Sequence, residues 1–197
     1  MKSILVITIL LSFFIKSYCQ SADSTLPVKI ELKLISSYTT YVSKTEIPDY
    51  LKRYYTEILG DSVARKSFDI EMSISNTSKD SIFISLMNCS WGWGFLVNNN
   101  YMFMRGYNCD RNFPEFVKFK AGEAKVYKLT LDRDISFYCP GDDEIFPITL
   151  TTRLGLIVTK AIYKPNKLFI FTHDPFTPID KSTWRVIWST PLYLIGE

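Results

Sequence analysis

The chain has 197 residues, 47% of them hydrophobic and 22% charged, a length and balance that suit one globular domain. Fourteen Phe, twelve Tyr and four Trp enrich it in residues that favour pleated, half-buried surfaces. The formal charge of +3 falls to +1 if Lys2 and Lys16 leave with an N-terminal segment, and so dispersed a balance does not suggest a polyanion ligand. The single histidine, His173, excludes a metal site built on imidazoles.

Residues 1–19 read as a cleaved signal peptide. Lys2 supplies the positive start, residues 4–15 are almost wholly apolar, and Ser17 and Cys19 are small residues at −3 and −1 of a cut before Gln20. The apolar run is well short of the ~20 residues of a spanning helix. Tyr18 and Lys16 before Cys19 do not fit a lipoprotein signal. A secreted or periplasmic location is therefore expected, with residues 20–197 as a single domain, no further apolar run long enough to cross a membrane and no nucleic-acid partner.

Val28, Ile30, Leu32 and Leu34 alternate with polar residues and predict a strand; the polar residues 36–46 predict a loop. Residues 48–59 form the one helical candidate. Pro48 and Asp49 suit its first turn, Leu51, Tyr54, Tyr55 and Ile58 make one apolar stripe, and Gly60 can end it. Residues 66–97 organise the chain. Phe68, Ile70, Met72 and Ile74 alternate with polar residues, Asn76-Thr77-Ser78-Lys79-Asp80 favours a turn, and Ile82, Ile84 and Leu86 resume the alternation, so a hairpin is predicted. Further strands are expected at 101–104, 116–119, 125–131, 148–159 as one strand or as two broken near Gly155, 168–171, and within 183–195, which Pro191 divides or places on a sheet edge. Residues 132–147 and 173–180 are expected to be loops. The predicted core comprises Ile70, Met72, Ile74, Ile82, Ile84, Leu86, Leu129 and Leu150.

Many short strands, frequent turns and one helix predict an all-β fold, an antiparallel immunoglobulin-like β-sandwich with one short helix near the N-terminus. Ile74-Ser75-Asn76-Thr77-Ser78 followed by Ile82, then Phe119-Lys120-Ala121-Gly122-Glu123 followed by Tyr127 and Leu129, resembles a pattern of exported bacterial immunoglobulin-like β-sandwich proteins. The resemblance spans residues 66–131. It implies the fold and carries no catalytic residue across.

Trp91, Trp93, Tyr101 and Tyr107 are the candidate ligand-binding residues. If the chain is extended there, Trp91 and Trp93 point the same way, and flat rings beside Asn98, Asn99 and Asn100 can stack on and hydrogen-bond a glycan or peptide. The same rings could equally fill the core. Three cysteines remain after the signal, and an oxidising compartment favours a disulfide. Three pairings are open. Cys89 with Cys109 is expected because the chain between them runs out and back, which leaves Cys139 as the odd thiol.

No cofactor, metal or catalytic motif is read from the sequence. His173-Asp174 lacks a Gly-x-Ser-x-Gly nucleophile, and Gly141-Asp142-Asp143-Glu144 lacks calcium-loop spacing. A non-enzymatic binding or interaction module for a glycan, a peptide or an envelope protein is expected. The alternative is a secreted glycan hydrolase using two of Glu115, Asp134, Asp142, Asp143 and Glu144. Asn76-Thr77-Ser78 and Asn88-Cys89-Ser90 match the glycosylation sequon.

Overall fold

A computed structural model of the chain describes residues 26–47, 49–52, 55, 61–87, 91–106, 113–135, 152–173 and 184–194. Among the described residues the fold is all-β, in two sheets, one of them curled into a half-barrel, and no helix reaches seven residues. The four-stranded sheet has the order β1 (Val28–Ser43), β2 (Ser62–Asn76), β7 (Ala124–Asp134), β5 (Phe103–Met104). The second sheet has the order β10 (Arg185–Trp188), β8 (Leu154–Lys164), β9 (Lys167–Thr172), β3 (Ser81–Met87), β6 (Pro114–Phe119), with β4 (Phe95–Val97) paired to β8. The signal segment, Cys89, Cys109, Cys139, Tyr107, Leu150 and the acidic run 142–144 lie outside the described residues.

One core fills the space between the sheets. Ile30, Ile70, Met72, Ile74 and Leu131 of the first meet Ile82, Ile84, Phe119, Leu156 and Ile170 of the second, all essentially fully buried. The period-two pattern is thus realised in both sheets, with alternate side chains of β2, β3 and β9 turned into this core. The predicted core residues that are described, from Ile70 to Leu129, are all buried.

The predicted hairpin is not one. β2 pairs with β1 and β7, whereas β3 pairs with β6 and β9, so residues 77–80 form a corner between sheets. Alternation specifies a buried face, and a partner on the opposite sheet buries it as well as a neighbour on the same sheet does. The buried Asn76 ties this corner to the neighbouring one, 120–123. Its Nδ2 donates to the carbonyls of Asp80 (2.7 Å), Lys120 (2.9 Å) and Phe119 (3.3 Å), and its Oδ1 accepts from the Ser78 amide (2.9 Å) and hydroxyl (2.7 Å). In the second corner Gly122 adopts φ 70°, a backbone that favours glycine. The two stretches that carry the family resemblance are therefore physically joined. An Nδ2 so occupied is not available to a glycan in the folded chain.

Three further expectations are corrected, and one left with two alternatives is decided. Residues 36–43 are strand, not loop. β1 continues to Ser43 on a full ladder with β2, beyond the end of the core, where Thr and Tyr can be polar on both faces and still extended. The pairing is not wholly antiparallel: β9 is antiparallel to β8 across the Pro165–Asn166 turn and therefore meets β3 parallel. Of the one-strand and two-strand alternatives at Gly155, the first holds among the described residues: β8 passes through Gly155 unbroken, and its irregularity falls between Val158 and Lys160. Of the predicted helix 48–59, Asp49–Lys52 are helical (α1) and Tyr55 is not, so it does not run unbroken to 59; residues 48, 53–54 and 56–60 lie outside the described residues.

Candidate functional site

A bulge in β1 sets up the outer face of the first sheet. Register shifts between Leu34 and Ser36, which leaves Ile35 unpaired and half exposed. Before the bulge the even-numbered residues face the core; after it Ser36 and Tyr38 stand opposite Asp69 and Ser67 on the outer face. Ser36 and Thr130 each donate to Asp69 at 2.9 Å.

Asp132 and Asp134, two apart on β7, share this face and are 0% and 5% exposed. The expected 132–147 loop therefore begins later, because these carboxylates are strand residues neutralised by arginines. Arg105 grips Asp132 with Nε (2.8 Å) and Nη2 (2.7 Å), and also donates to Ser67 (2.8 Å) and the Tyr38 hydroxyl (3.3 Å). Arg65 grips Asp134 with Nε (2.5 Å) and Nη2 (3.0 Å), and the Tyr55 hydroxyl donates to the same carboxylate at 2.6 Å. Both contacts are two-pronged forks, the geometry a planar guanidinium offers a carboxylate. The hydrogen bond to Asp132 raises Arg105 above the usual arginine range, against the opposing effect of burial. Burial opposes the charge on Arg65, yet the bond to Asp134 and its charge outweigh it. Burial first, then the bond to Asp134, pushes the Tyr55 phenol up. Carboxylates committed in this way hold the sheet together, with their oxygens occupied by arginine and tyrosine donors.

Beside this network, residues 95–104 cross from one sheet to the other: β4 ladders on β8 and β5 on β7. A shallow cavity of about 390 Å³ opens along the crossing, lined by Phe95, Val97, Asn99, Asn100, Phe103 and Met104 among others. Asn99 Oδ1 accepts from the amides of Tyr101 (3.1 Å) and Met102 (2.9 Å), and Asn98 Oδ1 from the amide of Arg153 (2.7 Å). Two of the three asparagines thus build the turn, and Asn100 stays exposed. Phe103 is 40% exposed, with the Arg65 guanidinium 4.9 Å from its ring centre.

Of the four residues predicted to bind ligand, Trp93 is 38% exposed and Tyr101 is 9% exposed. Trp91–Gly94 is a helical turn (α2), so the argument that Trp91 and Trp93 share a face, which needs extended backbone, does not apply. The side chain of Trp91 and all of Tyr107 lie outside the described residues. Nothing in the sequence signals that Arg65 stands beside Phe103. Phe103 reads as one more strand aromatic, and Arg65 is 38 residues away in sequence, so only the register of β2, β7 and β5 brings them together.

Glu115 is exposed on β6, in the opposite sheet from Asp134. His173 lies against Trp184, ring centres 4.9 Å apart, and Asp174 lies outside the described residues. Among the described residues no group of three His, Cys, Asp or Glu side chains could hold a metal ion, and no helix is long and apolar enough to cross a membrane. No protein-family model matches the chain, and neither a curated protein nor a solved structure does.

Proposed function

We propose that this chain is an exported, immunoglobulin-like β-sandwich module that binds a glycan or peptide without transforming it, and that the ligand lies along the 95–104 crossing. The observation that carries the reading is the half-exposed Phe103 at the rim of a cavity of about 390 Å³, beside Asn100 and an arginine already held by Asp134. A flat ring fixed on a rigid strand binds with little loss of freedom, and ligand sites commonly combine an apolar floor with a few polar groups. Two sheets around one core, joined by tied corners, support the sandwich; the parallel β3–β9 pair is this chain's departure from a purely antiparallel one. Asp134 lends the hydrolase alternative no support, since its carboxylate is occupied by Arg65 and Tyr55.

The test is a glycan and peptide array probed with the purified protein and with Phe103→Ala. Loss of array binding with an unchanged melting temperature is expected, because Phe103 stands outside the core. Full retention of binding by the variant would move the site elsewhere. Intact-mass analysis of exported protein checks the export: a start at Gln20 is expected, and a retained Met1 would refute it.

A further inference from the structure

The outer face of the second sheet carries a separate aromatic surface. Register places Phe116 and Lys118 of β6, Phe83 of β3, Phe169 and Phe171 of β9, and Ile162 of β8 side by side on it. Phe83 stacks on Phe169 (centres 4.8 Å apart, planes 12° apart), and Phe116 meets Phe169 and Phe171 edge-on at 5.9 and 5.1 Å. Such a cluster would suit a core, yet Phe116 is 47% exposed. The rim is cationic. Lys118 and Lys164 lie over the Phe83 and Phe169 rings at 5.9 and 5.4 Å, Lys160 and Lys167 stand opposite Phe171 and Lys164 on the same face, and all four are exposed. The ladders put no acidic residue among these outward positions, and none of the four lysines forms an ion pair among the described residues. β6 ends its sheet, so among the described residues one of its backbone edges is open.

We infer that β6 and this face form a docking surface for an extended acidic peptide, which adds as a strand beside β6 and lays alternate apolar and acidic side chains on the phenylalanines and lysines. The inference stands independently of the 95–104 site. Three observations select this occupant. An open strand edge offers a row of backbone donors and acceptors that only another extended chain can match. A rim of one sign calls for a partner of the other. The rings are phenylalanines, with few polar neighbours besides the lysines, so sugar hydroxyls would lack partners here. An anionic membrane would answer the charge and the rings but would leave the strand edge unused.

The experiment measures fluorescence anisotropy of a labelled extended peptide of alternating glutamate and valine against the purified protein. Saturable binding is expected. It should weaken about tenfold or more in Phe116→Ala, in the double variant Lys118→Glu/Lys164→Glu, and with a peptide N-methylated at alternate residues, which can make the side-chain contacts but not the ladder. High salt should weaken it as well. The substituted residues are exposed, and an unchanged melting temperature would show that the fold is intact. The inference is overturned by equal binding of a lysine–valine peptide, by indifference to N-methylation, by a β6-dependent dimer in place of peptide binding, or by variant-sensitive capture on phosphatidylglycerol vesicles without peptide binding.

Discussion

Asn76 concentrates more hydrogen bonds than any residue of its corner, and its replacement should be felt in both sheets. Asn76→Ala removes the side-chain donor to the buried Phe119 carbonyl and to the part-buried carbonyls of Asp80 and Lys120, which keep only Ser78 and Glu123 as donors, at about 1–3 kcal/mol of stability. Asn76→Asp should be at least as harmful, since a carboxylate accepts but cannot donate to those carbonyls. Chemical denaturation of both variants checks this, and a near-wild-type midpoint for Asn76→Asp would refute it. A second residue sets an alkaline limit. Burial, with the nearby charge of Glu123, pushes the Tyr127 phenol up from 10.0 to about 12. The folded chain then keeps a proton that the unfolded chain gives up. The resulting stability is intact below about pH 10 and is lost as pH rises towards about 12. Tyr127→Phe should flatten that decline in unfolding free energy; parallel pH profiles for variant and parent would exclude the assignment.

At the level of elements, close approach and register decide which side chains meet. Where β8 passes β10, a Cβ on Gly155 would strike Val186 Cγ1 and come within 2.8 Å of the Trp188 ring. Gly155→Ala should therefore destabilise by about 1–3 kcal/mol, the usual range for overpacking. Val186→Ala in the same chain should restore part of the loss, measurable as a rise in melting temperature over the single variant. The β1 bulge acts on more side chains. By shifting parity at Ile35, it brings Tyr38 to the face where Arg105 and Asp132 stand.

For the molecule as a whole, the core is shared, so the two sheets should melt together. Ile84 is 0% exposed and lies in the cluster that joins them. Ile84→Ala should lower stability by about 2–5 kcal/mol and leave a single transition. A loss below about 1 kcal/mol, or two resolved transitions, would contradict a common core. The sheets are also stitched directly: the Thr190 amide, just after β10, donates to the Ile30 carbonyl at 3.0 Å.

Local pattern alone determined the all-β class, the buried faces of β2, β3 and β7 and the turn chemistry at residues 77–80 and 120–123. Alternation records which side of a strand is buried, and Asn, Ser and Gly record where the backbone must bend. Which strands pair lay beyond that pattern, because one buried face fits a neighbour in the same sheet or in the facing one; hence β2 and β3 read as a hairpin and proved to be a corner. The strand character of residues 36–43 was hidden because a ladder can extend past the core, where no face has to be apolar. The candidate site shows the same division. Its aromatic, asparagine-rich segment could be read directly, but Phe103 beside Arg65, and the commitment of Asp132 and Asp134 to arginines, were decided only by tertiary structure. Side chains 38 and 69 residues apart meet through strand register, a long-range property that no local stretch of this chain encodes.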